Sequence, residues 1–137
     1  MTIVAILRLL IELVMPLAPP AGRVSASESP VALPGAVVEL SVTILDTPMA
    51  GTPIELWLSS ADLVPVPNRF DNRDVVDPLA AQPRVRARIT APERDGRYGV
   101  DAQVSYVSCG PATCRPHRAR VHWDVDVVTA VDPAAPR

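Results

Sequence analysis

The sequence predicts an all-β fold: a single sandwich of about six to eight antiparallel strands. Three observations lead there. Apolar and polar residues alternate with period two along several segments between Val38 and Val127. Sixteen Pro stand against a single Phe in 137 residues, and Pro suits rigid turns between strands better than helix interiors. Turn-forming clusters punctuate the alternating segments at regular spacing, and no convincing helical period competes with them.

The chain opens on an apolar segment, Met1 to Ala21. Ile3, Ala5, Leu7, Leu9, Ile11, Leu13 and Met15 share one parity while Arg8 and Glu12 fall on the other, which favours a strand. A signal or anchor segment is the alternative. Val24-Ser25-Ala26 resembles a small-residue cleavage site, but no positive side chain precedes the apolar run. A helix comes third, with Arg8 and Glu12 four apart on one face. Those two charges leave no uncharged stretch near the roughly 18–20 residues that a membrane span needs. Pro16, Pro19 and Pro20 end the element.

Val38, Leu40, Val42 and Ile44 then alternate with Glu39, Ser41 and Thr43 in a half-buried strand. Turn signals follow at Asp46-Thr47-Pro48 and Gly51-Thr52-Pro53, before a second strand in which Ile54, Leu56 and Leu58 alternate with Glu55 and Trp57. From Ser59 to Pro83 the pattern gives way to a long loop rich in Pro, Asn and Asp. Loops of that length are uncommon inside compact domains. Phe70, in its middle, either anchors the loop to the core or caps a site.

Three strands complete the domain. Val85, Ala87, Ile89 and Ala91 alternate with Arg84, Arg86, Arg88 and Thr90, and Glu93-Arg94-Asp95-Gly96 supplies a turn. Tyr98, Val100, Ala102, Val104 and Tyr106 face the core with Asp101, Gln103 and Ser105 outward. Ala119, Val121, Trp123, Val125 and Val127 alternate with Arg120, His122, Asp124 and Asp126. The domain therefore spans residues 1–128, and the Pro/Ala-rich segment 129–137 reads as a disordered tail.

Composition narrows the function. At 137 residues the chain suits one domain with its own core. A net charge of −2 carries no basic footprint for nucleic acid. All 13 basic residues are Arg and they are scattered, as compositional bias leaves them. The chemistry concentrates in the only two cysteines, Cys109 and Cys114, at the tip of the last hairpin. Parity puts both on the solvent face, and facing positions on antiparallel strands lie about 4.5–5.5 Å apart, close enough for a disulfide.

Such a pair can be a staple, a redox couple or half a metal site. A staple across so short a loop stabilises by only about 2 kcal/mol. An exposed disulfide is open to attack by a thiolate, and Arg115, Arg118 and Arg120 would favour the thiolate of Cys114. The segment Cys114-Arg-Pro-His117 resembles the Cys-x-Pro-His ligand loop of cupredoxins. A blue-copper site needs a second, upstream imidazole and usually a later Met; no His precedes His117 and no Met follows Met49. Zinc through Cys109, Cys114, His117 and His122 has unsuitable spacing, with His122 mid-strand. His117 and His122 read as solvent-facing strand or turn residues.

Tyr106, Cys109, Cys114 and Pro116, with the alternating strand that follows, resemble the end of the N-terminal, immunoglobulin-like domain of DsbD-type thiol:disulfide interchange proteins. A related sandwich module follows the NHL repeats of some thioredoxin-containing proteins. The resemblance covers about the last third of the chain, and Arg115-Pro116-His117 departs from the family's paired prolines. It implies a thiol–disulfide relay through Cys109 and Cys114 with a thioredoxin-like or other dithiol partner, without cofactor or metal. Under it, Tyr106 and Arg115 tune or shield the sulfurs beside Pro116, and Phe70 belongs to a capping loop. The compartment is then oxidising, periplasmic or otherwise extracytoplasmic. The rival expectation is a non-catalytic extracytoplasmic binding module in which the disulfide is passive.

Overall fold

The computed structural model describes residues 22–129. The strand, signal or anchor expected within Met1 to Ala21 and the tail beyond Thr129 lie outside the described residues. Regular structure comprises β1 Val24–Ala26, β2 Val31–Ala32, β3 Val37–Ile44, β4 Glu55–Ser59, β5 Arg69–Phe70, β6 Arg84–Thr90, β7 Gly96–Cys109 and β8 Cys114–Val127, with a 3-10 turn at Asn72–Asp74. The strands make two sheets, ordered β1-β3-β6 and β2-β8-β7-β4-β5. These are the two layers of an all-β, immunoglobulin-like sandwich. No helix among the described residues is long and apolar enough to cross a membrane.

Alternation decides which side chains meet between the layers. Val38, Leu40, Val42 and Ile44 of β3 and Val85, Ala87 and Ile89 of β6 are buried from one side. Leu56, Leu58, Val100, Ala102, Val104, Tyr106, Trp123, Val125 and Val127 close on them from the other. Each fully buried branched side chain contributes about 1.5–3 kcal/mol relative to exposure. That sum, spread over two facing layers, holds the sandwich. Trp123 is fully buried and its indole N–H donates to the Ser27 carbonyl at 3.0 Å.

The start of the described chain departs from expectation. Val24-Ser25-Ala26, which resembles a cleavage site, is β1 and pairs antiparallel with β3, Val24 opposite Ile44 and Ala26 opposite Val42. Cleavage after Ala26 would remove a strand of the sheet. The chain then crosses to the other layer, where β2 pairs with β8 in parallel, Val31 opposite Asp126. One strand pair is therefore parallel where all were expected antiparallel. Two residues cannot reveal their direction by alternation.

The segment from Ser59 to Pro83 is less irregular than its composition suggests. Arg69–Phe70 adds to the edge of β4, with Phe70 opposite Leu56. Phe70 is 6% exposed, so it anchors the loop to the core. Asp71 caps the following 3-10 turn, its side chain accepting from the Arg73 N–H at 3.0 Å. At the other end, Thr129, expected to begin a disordered tail, donates its hydroxyl to the Asp95 carboxylate at 2.8 Å.

Candidate functional site

The strands β7 and β8 are each 14 residues long and pair without a break from Gly96–Val127 to Cys109–Cys114. Their partners β4 and β2 cover only the lower part, so the hairpin runs on past the sheet. Pro48 bridges to Ser108 and the Met49 N–H donates to the Val107 carbonyl at 2.7 Å, so the β3–β4 loop props the extension. Gly110-Pro111-Ala112-Thr113 closes the tip, with the Gly110 N–H donating to the Thr113 carbonyl at 2.9 Å.

Cys109 and Cys114 face each other on the last rung and form a disulfide with a Cα–Cα distance of 3.9 Å. Both residues are exposed. The unbroken register keeps the expected parity through the hairpin, which puts the sulfurs on the outer face, away from the core. On that face the rungs leading inward from the disulfide are Val107–Pro116, Ser105–Arg118, Gln103–Arg120 and Asp101–His122. Pro116 thus stands on the first same-face rung inward from the disulfide.

Tyr106 and Arg115 lie on the reverse face. Tyr106 is 2% exposed and packs in the core. Its hydroxyl donates to Asp46 Oδ2 at 2.5 Å and accepts from the Arg23 N–H at 2.9 Å. Burial, then the hydrogen bond to Asp46, pushes its pKa up to about 12. Its ring stacks on His117 with centroids 5.2 Å apart. Tyr106 therefore does not shield the sulfurs; it ties the root of the hairpin to the β3–β4 loop and to the segment before β1. Arg115, opposite Ser108, lines a shallow depression with Asp46, Ser108, His117 and Cys109 itself. Its strand parity is opposite to that of the sulfurs, yet it borders the same depression as Cys109. Phe70, two strands from β7 and sunk in the core, does not reach the tip.

The histidines separate. His117 is half-buried rather than solvent-facing. Its Nε2 shares a hydrogen bond with Ser108 Oγ at 2.7 Å, and its Nδ1 is buried without a partner among the described residues. The imidazole and the sulfurs lie on opposite faces of the hairpin, so Cys114 and His117 do not converge. His122 does face solvent, as expected, between Asp101 (2.7 Å) and Asp124 (3.0 Å). Its pKa is raised, first by the hydrogen bond to Asp101 and then by that to Asp124.

Sequence reasoning missed Asp46, Arg23 and Ser108. Asp46 carried only a turn signal, and Arg23 acts through its main chain, which no side-chain pattern reveals. No protein-family model matches the chain, and comparison with curated proteins and with solved structures yields no match.

Proposed function

We propose that the chain is a thiol–disulfide exchange domain that passes electrons between its Cys109–Cys114 pair and a thioredoxin-like or other dithiol partner. The observation that carries this reading is an exposed disulfide on the last rung of a propped, overhanging hairpin. A thiolate must approach along the S–S axis, and a tip clear of the sheet leaves that approach open. The resemblance of Tyr106, Cys109, Cys114 and Pro116 to the DsbD N-terminal pattern supports the same reading.

A partner thiolate attacks one sulfur, the Cys109–Cys114 bond breaks, and the other sulfur leaves as a thiolate and takes a proton. The partner's second thiolate then attacks the mixed disulfide and releases the first cysteine, which is protonated in turn. Two electrons and two protons reach this chain, and the partner is left oxidised. The reverse sequence balances equally. The working compartment is oxidising and extracytoplasmic.

Trapping tests the proposal. Cys109→Ser leaves Cys114 alone and is expected to capture a thioredoxin-like partner lacking its resolving cysteine, as an adduct cleaved by dithiothreitol. Failure of both this variant and Cys114→Ser to form any adduct would return the disulfide to a passive staple in a binding module.

A further inference from the structure

We infer that the outer face of the β7–β8 hairpin selects a dithiol partner protein that carries carboxylates beside its cysteines, with Arg118 and Arg120 as the selecting charges. The inference rests on the exchange reading above. It starts from the order of rungs on the sulfur face: disulfide, then Val107–Pro116, then Ser105–Arg118, then Gln103–Arg120. Next to the disulfide is an uncharged step, and the first charges beyond it on the hairpin are both guanidinium groups; Glu55 of β4, opposite Ser105 on the same face, is taken up by Arg69.

These two guanidiniums stand apart from the other charges on the sheet. Arg69, on the same face, is neutralised by Glu55 at 2.7 Å, and Arg97 by Asp126 at 3.0 Å. Arg118 and Arg120 form no ion pair among the described residues, and both are exposed. The chain as a whole has a net charge of −2, so this strip runs against the sign of the molecule. Further from the disulfide the sign reverses, with Asp101 and Asp124 on either side of His122. A face that is positive near the disulfide and negative far from it fits a partner in one orientation, its own acid nearest the reacting sulfurs.

Reach and screening give the size of the effect. At about 3.4 Å per residue, Arg118 and Arg120 branch about 14 and 20 Å from Cys114 along the strand. Both fall within a screening length of about 30 Å at 0.01 M salt and far outside one of about 3 Å at 1 M. The selection therefore works through encounter rate and disappears at high salt.

Three dithiol peptides test it, sharing one Cys-x-x-Cys core and flanked by four Glu, four Gln or four Lys. The readout is the rate at which each reduces Cys109–Cys114. At 0.01 M salt the Glu peptide is expected to outpace the Lys peptide by about fivefold or more. That ratio should fall towards one at 1 M salt. It should fall likewise in the R118Q/R120Q double variant at low salt, while the Gln peptide's rate stays within about twofold. A ratio that survives in the double variant, or that ignores salt, overturns the inference alone, because the Gln peptide still reports exchange. A Gln peptide that cannot reduce the bond overturns the exchange reading, and the inference falls with it.

Discussion

Tyr106 joins three segments that lie far apart in sequence: the strand that leads to Cys109, the turn at Asp46 and the chain before β1. Its phenol is neutral in the fold, and its raised pKa has a defined consequence. The folded value of about 12 exceeds the ordinary value of 10.0, so the associated stability is complete below pH 10 and is lost as pH rises towards 12. Tyr106→Phe is expected to cost about 1–2 kcal/mol in urea unfolding, through the orphaned Asp46 and Arg23 groups. It should leave the reduction rate of the disulfide within about twofold; a large acceleration would mean that the ring shields the sulfurs after all. His122 makes a second case. Its two nitrogens face two carboxylates, an arrangement that only the imidazolium satisfies on both sides. The raised pKa means that its contribution is present below pH 6.5 and fades as pH climbs through the folded value. An NMR titration should show a midpoint above 6.5 that falls in Asp101→Asn; an unchanged midpoint would deny the pairing.

At the scale of elements, the hairpin carries its own geometry. Its register continues without a bulge to the last rung, so ladder hydrogen bonds and the Met49 prop hold the tip whether or not the sulfurs are joined. The double variant C109S/C114S is accordingly expected to lose about 2 kcal/mol and still unfold in one cooperative transition. A collapse of the β-sheet circular dichroism signal would instead make the bond structural. The same elements show what the sequence could reveal. β3, β4, β6, β7 and β8 were legible because each is half-buried over five residues or more, and burial of one face imposes alternation. β1, β2 and β5 are two or three residues long and owe their existence to distant partners, which no local pattern records. The cysteine pairing and its outward face were readable by parity. The role given to Tyr106 was not, although the same parity puts it on the face opposite the sulfurs. Proximity in sequence suggested contact where the strand turns successive side chains apart.

The whole molecule is a two-layer sandwich whose described charges and loops are unevenly distributed between its ends. The β3–β4 and β7–β8 connections share the end that bears the disulfide, linked through Pro48 and Met49. In the sandwich architecture, loops gathered at one end make the usual recognition surface, because the layers beneath hold them still. Met49, with 44% of its surface exposed, and Leu79, with 95%, stand on the loops that flank or approach this end. Redox exchange asks for such an arrangement: a reactive bond held rigidly at an accessible edge, far from the core that keeps the domain folded. Equilibration of the purified protein with glutathione redox buffers, read by thiol alkylation, tests this most directly. The expected reduction potential lies above about −300 mV, within reach of a dithiol partner. A potential below about −300 mV would contradict it and identify Cys109–Cys114 as a passive staple.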